Sequence, residues 1–183
     1  MTGLFMRRSE RPDNVRISMD EWNVRYAWYR PSSVMDGIFT ALTLHMLMAE
    51  AETCGIELAC HFEAINEGLL CAEPSGAYLT AQGQVFALMK HHIGGRICHG
   101  GSNAFVTHKD GVYTLTAVND SYDQCRKVQI ACGGRILSTK LLGSQSVIPP
   151  SFFEEETLRV EKCAEGYACT MPPHSVMMIT IAG

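Results

Sequence analysis

The sequence predicts an α/β segment followed by an all-β segment within 183 residues. Two observations carry this. Up to about residue 95, strand-like and helix-like periodicities alternate in the order of parallel βα units. From Asn103 onward, short β-rich runs are split by turn residues at the spacing of an antiparallel β-sandwich. The boundary is expected near residue 97, dividing the chain into 1–97 and 98–183.

The elements follow in order. Residues 15–19 alternate Val, Ile and Met with Arg and Ser, the period of a strand. The aromatic loop "NVRYAWYRP" comes next. Ser33 is a candidate N-cap, with Asp36 completing a capping box three residues later. Met35, Ile38, Phe39, Leu42, Met46 and Ala49 recur at helical spacing between Val34 and about Glu52. The other faces are also apolar, so this helix should be covered on much of its surface, with its methionines in the core. Gly55 fits the C-cap.

A second strand is expected over Ile56–Asn66, then a loop marked by Gly68 and Pro74-Ser75-Gly76, then a helix over Leu79–His92. Lys109-Asp110-Gly111 and Gly133-Gly134 each read as a hairpin turn. Glu154-Glu155-Glu156 reads as a solvated turn, and Pro172-Pro173 precede a final strand.

Composition bounds the function. Hydrophobic residues make up 46% and charged residues 19%, as in an ordered globular protein. A net charge of -4 without any basic block argues against nucleic acid or an anionic membrane as partner. The apolar run "VMDGIFTALTLHMLMA" is interrupted by Asp36 and His45 and is short for a bilayer span. The start "MTGLFMRRSERPDN" does not read as a signal peptide. Eight cysteines without any C-x-x-C pair then read as reduced thiols in a cytoplasmic protein, not as a zinc or redox motif.

The stretch "VRISMDEWNV" is the candidate site. Glu21 is expected just past a strand's C-terminal end, where parallel βα folds gather functional groups. A carboxylate there can attack an anomeric carbon, and the indole of Trp22 could offer a flat face to a sugar ring. A turn or helix cap is the ordinary alternative for such an acid.

"ISMDEWNVRY" resembles the nucleophile motif of the α-L-arabinofuranosidases of glycoside hydrolase family 51. "VMDGIFTALTLHMLMAEAETCGIELAC", "YLTAQGQVFALMKHHIGGRI", "YTLTAVNDSYDQCRKVQI" and "MPPHSVMMITI" resemble later stretches of the same family, in order. The resemblance implies the last two βα units of a (β/α)8 TIM barrel followed by a jelly-roll-like β-sandwich. It implies Glu21 as the nucleophile of a retaining enzyme. Glu63 falls where the family carries a sugar-contacting glutamine. No cofactor or metal is implied, and the substrate would be an arabinose-containing oligosaccharide or polysaccharide.

The departures are specific. A full barrel needs roughly 200–250 residues before any sandwich, so the chain resembles only the C-terminal portion. The family's acid/base glutamate lies in the part without a counterpart here. Asn66-Glu67 imitates its Asn-Glu pair but comes after the nucleophile, and Arg25 stands where the family usually has an aromatic. Such a chain should be inactive alone, forming a homo-oligomer or associating with the missing N-terminal barrel portion. The alternative is a non-catalytic structural or assembly module.

Other residues carry weaker readings. His91, His92 and His99 are more readily dipole partners at a helix end than a metal site. His61 reads as an inward-facing strand residue. Tyr26, Trp28 and Tyr29, between Arg25 and Arg30, could stack a sugar but more simply pack their own loop.

Overall fold

The computed structural model describes residues 15–24 and 30–183. The readings placed on Arg25, Tyr26, Trp28 and Tyr29 and on the first fourteen residues lie outside the described residues. The chain mixes helix and strand. β1 (Ile17–Trp22) pairs in parallel with β2 (Ile56–His61). Between them runs α1 (Val34–Cys54), and after β2 come a hairpin, β3 (Leu70–Glu73) with β4 (Gly76–Leu79), and then α2 (Ala81–Met89).

The remaining strands form two antiparallel sheets. They are β5 (Arg96–Gly100), β6 (Ala104–Lys109), β7 (Val112–Asn119), β8 (Arg126–Ala131), β9 (Arg135–Gly143), β10 (Glu154–Glu156), β11 (Val160–Cys163), β12 (Gly166–Met171) and β13 (Ser175–Ala182). The six-stranded sheet has the order β10-β9-β13-β7-β6-β5, and the three-stranded sheet β11-β12-β8.

β13 explains how the layers cohere. It is the central strand of the six-stranded sheet, and almost every residue in it is buried. Met177, Ile179 and Ile181 join Leu158, Cys169 and Met171 in the core between the two sheets. Val176 and Met178 join Val34, Ile38 and Ala41 of α1 and Val85 and Leu88 of α2 in a second core. Successive side chains of a strand point to opposite faces, so a strand covered on both faces must be apolar throughout. The run "SVMMITI" satisfies this.

α1 begins as expected. The Ser33 amide donates to the Asp36 carboxylate at 2.8 Å, and Arg30 grips the same carboxylate with both terminal nitrogens. Ser151 adds a tie from far along the chain, its hydroxyl accepting from the Val34 amide at 3.0 Å. Gly55, in the left-handed conformation, closes the helix. By length and composition α1 could cross a membrane, being longer than the run read from sequence. Here its fully buried Val34, Ile38 and Ala41 pack in the protein core. Most of α1 is covered, as expected, but Met35, Phe39 and Met46 are exposed, so the expectation that its methionines lie in the core is corrected for Met35 and Met46.

Several other expectations change. The loop at 70–79 is a hairpin: Glu73 faces Gly76 across Pro74-Ser75, proline second and glycine fourth in the turn. β2 stops at His61 instead of Asn66. α2 starts at Ala81, capped by the Thr80 hydroxyl, and gives way to a 3₁₀ turn over Lys90–His92. The Lys109–Val112 hairpin is present. The Gly133-Gly134 hairpin is not, because β8 pairs with β12 while β9 pairs with β13. The two glycines carry the chain from one sheet to the other. A Cβ on Gly134 would stand 2.0 Å from the Ala182 carbonyl oxygen, so only glycine fits that crossing. Glu154–Glu156 form an edge strand, with Glu155 paired to Lys140 at 2.6 Å.

The histidines after α2 part company. His91 and His99 are exposed, whereas His92 is buried. His92 bonds Thr107 and Thr116, and His45 of α1 bonds the same Thr116 hydroxyl. The reading of His92 as a helix-dipole partner is therefore corrected: it belongs to a polar chain that fastens α1 to the sheet.

Candidate active site

The segment Asp20–Asn23 closes the C-terminal end of β1. Met19 faces Ala59 and Trp22 faces His61, so three steps on β1 oppose two on β2. The extra residue is a bulge at Asp20-Glu21, and bulges re-aim side chains. It explains why both acids are exposed in succession instead of alternating in and out. Glu21 therefore lies inside the strand, and the expectation that it lies past the strand end is corrected.

The two acids differ. Asp20 accepts a hydrogen bond from the Ser18 hydroxyl. Glu21 is exposed and has no hydrogen-bond or ion-pair partner among the described residues.

Trp22 faces inward and is only 8% exposed. Its ring lies near-parallel to Phe86 of α2 at 6.0 Å, and His61 meets it edge-on at 4.8 Å. The indole therefore presents no open face to a sugar, which corrects the expected stacking platform. The bulge turns Glu21 outward and leaves the next side chain to fill the space over β2 and α2.

His61 completes this aromatic trio, its ring 5.4 Å from Phe86. Burial holds its pKa down to about 4, with the Glu63 backbone pulling weakly the other way. Among the described residues neither ring nitrogen makes a well-formed hydrogen bond, nor does the buried indole nitrogen of Trp22. Gly68 allows the approach: a Cβ there would fall 2.6 Å from His61 Cε1 and 2.1 Å from the Glu63 carbonyl oxygen.

Asn23 locks the strand end. Its side-chain amide donates to the carbonyls of Phe62 and of Glu67, the latter at 3.0 Å. Its oxygen accepts from the Val24 amide and from Gln82 of α2, both at 2.7 Å. Gln82, 2% exposed, also donates to Thr40 of α1 at 3.3 Å. Four segments thus meet at one asparagine. Sequence reading missed it, although an amide beside a strand-end acid was a usable signal.

Glu63 is exposed, just beyond β2. The Phe62 amide donates to the Trp22 carbonyl at 3.0 Å, so Glu21 and Glu63 are each one residue from a hydrogen bond joining the two strand ends. Asn66-Glu67 follows in the loop, where Asn66 has a positive φ and its side-chain oxygen accepts from the Ala72 amide. Among the described residues no group of three His, Cys, Asp or Glu side chains is placed to hold a metal.

The comparisons with known proteins bear on this arrangement. A family 51 α-L-arabinofuranosidase from Thermotoga petrophila superposes with a TM-score of 0.78 at 19% identity, over 97% of this chain and 46% of that one. One from Bifidobacterium longum gives 0.73 at 15% identity, over 91% and 42%. This chain has the fold of a portion of a family 51 arabinofuranosidase.

The match is consistent with the C-terminal portion of the family 51 fold, and the chain spans less than half the length of these structures. The catalytic domain of a family 30 xylanase C from Talaromyces cellulolyticus also matches, with a TM-score of 0.61 at 14% identity, over 93% and 41%. The family 51 fold is thus shared with an enzyme named for a different polysaccharide. No family model and no curated protein matches the sequence.

Proposed function

We propose that this chain is the nucleophile-bearing C-terminal portion of a retaining α-L-arabinofuranosidase acting on terminal arabinofuranosyl residues of arabinose-containing glycans. The observation that carries the reading is Glu21: exposed, without a partner among the described residues, and turned outward by a bulge at the end of a strand parallel to β2. In this reading β1 and β2 are the last two strands of a (β/α)8 barrel, residues 98–183 are the closing β-sandwich, and residues 1–97 carry the nucleophile.

Glu21 attacks the anomeric carbon while a carboxylic acid from outside this chain protonates the leaving oxygen. Water then releases the sugar from the covalent intermediate, with the second carboxylate acting as base. Glu63, at the end of the neighbouring strand, accepts hydrogen bonds from sugar hydroxyls. Trp22 supports the site from beneath. The eight free cysteines suit a reducing cytoplasm.

The partner follows from the same reading. Exposed Met35, Phe39 and Met46 form one stripe on α1, and the two-stranded parallel sheet has free edges among the described residues. Parallel sheets are ordinarily covered on both faces, and open edges invite pairing. The chain associates there with further βα units or with copies of itself.

A chimera tests the function. The part of the Thermotoga petrophila enzyme that this chain does not match is joined ahead of Val15. It should hydrolyse an aryl α-L-arabinofuranoside, lose that activity on Glu21→Gln, and leave the 183-residue chain alone at background. Turnover by the isolated chain, or by the Glu21→Gln chimera, would refute the reading.

A further inference from the structure

A cleft of about 340 Å³ opens between the start of α1, the β3–β4 hairpin and the loop at Pro150–Phe152. That volume lies in the range of small-ligand sites. The cleft adjoins the candidate site through Asn23, whose amide bonds the Glu67 backbone and Gln82, both of which line it.

Its chemistry is mixed in a particular way. Tyr78 and Phe152 meet edge to face at 5.6 Å, yet remain 42% and 38% exposed, so each ring keeps an open face. The Tyr78 hydroxyl donates to one oxygen of Glu73 at 3.3 Å, leaving the other oxygen able to accept. Glu67 adds a second carboxylate. The Asn66 side-chain amide makes no hydrogen bond as a donor among the described residues, because only its oxygen is engaged, with Ala72. Arg30 is already committed to Asp36.

With that ion pair neutral, Glu67 and Glu73 leave the cleft negative. An acidic sugar would be repelled. A neutral sugar would set its C–H face on an aromatic ring and its hydroxyls on the carboxylates.

We infer that this cleft binds a neutral pentose unit of the glycan whose terminal residue meets Glu21, with Tyr78 and Glu73 as its principal contacts. The inference rests on the carbohydrate reading above and adds a second binding position to it. It requires no chemistry at Glu21, so the chain alone can report on it.

The test is a titration of the ¹⁵N-labelled 183-residue chain followed by NMR, with α-1,5-arabinotriose, xylotriose and trigalacturonate as separate probes. A neutral sugar should shift the Glu73, Tyr78 and Phe152 amides saturably. Tyr78→Ala should weaken that binding about tenfold, close to 1.4 kcal/mol. Glu73→Gln, an isosteric change at an exposed position, should weaken it without any risk to folding. Shifts confined to residues 17–22 and 62–63 would overturn the cleft assignment while leaving Glu21 its role. So would binding indifferent to both variants, trigalacturonate binding as tightly as the neutral sugars, or no shifts at all. Response to xylotriose but not arabinotriose would support the cleft and overturn the arabinose reading.

Discussion

His45 Nε2 and His92 Nε2 approach a single hydroxyl, Thr116 Oγ1, at 2.7 and 2.8 Å. The partners on either side fix where every proton sits. His45 Nδ1 is 2.9 Å from the Ser102 carbonyl, which can only accept, so that nitrogen carries the hydrogen. A neutral His45 then accepts at Nε2 from Thr116, and Thr116 accepts from His92 Nε2–H. His92 Nδ1 in turn accepts from the Thr107 hydroxyl at 2.9 Å. Four hydrogen bonds run in one direction, and both rings are neutral.

Stability should therefore fall as the solution is acidified. Burial, then repulsion from His45 and His91 once they protonate, holds His92 down to about 4, and burial lowers His45 against the opposing pull of the Ser102 carbonyl. The unfolded rings titrate near 6.5. Between about pH 6.5 and pH 4 the unfolded chain binds more protons, so stability drops as pH falls through that window and is flat above it. His61, also lowered to about 4, acts in the same direction. Melting temperature measured from pH 8 to pH 4 checks this, and a flat profile would contradict it.

Thr116→Val removes the shared hydroxyl and leaves two buried ring nitrogens without partners. The expected loss is about 1–3 kcal/mol, read from urea unfolding at pH 7.5. The variant's melting temperature should also change less steeply with pH if the His rings repack toward water.

Asn23→Ala and Gln82→Ala should each destabilise the protein by about 1–3 kcal/mol, since each strands buried polar partners. The double variant should lose less than the sum, because the two side chains share one hydrogen bond. Chemical denaturation of the four proteins closes the cycle.

Glu21→Gln, by contrast, should leave stability within about 0.5 kcal/mol, as an exposed side chain without partners among the described residues. A larger loss would mean that Glu21 is a structural acid.

Gly134→Ala places a methyl against the backbone of β13, which cannot move aside without breaking the central strand. The cost should be about 1–3 kcal/mol. Gly133→Ala, with open space around it, should be tolerated better on the same thermal assay.

These residues also mark what could be read from the sequence. The capping box at Ser33–Asp36, the Gly55 cap and the parallel pairing of β1 with β2 rest on local or strongly periodic signals. The crossing at Gly133-Gly134 was not legible, because a turn signal does not say which partner the next strand will choose. The orientation of Trp22 depends on a bulge, and a single inserted step reverses the face of every following side chain. The tie between His45 and His92 joins residues 47 positions apart through a third, which no spacing rule could anticipate.

One feature of the topology governs biogenesis. β13 is made after β7 and β9 yet lies between them, and it supplies side chains to both apolar interiors. During synthesis β7 and β9 wait with their facing edges open until β13 has emerged from the ribosome. This is a window in which a chaperone that shields unpaired strands would decide between folding and aggregation.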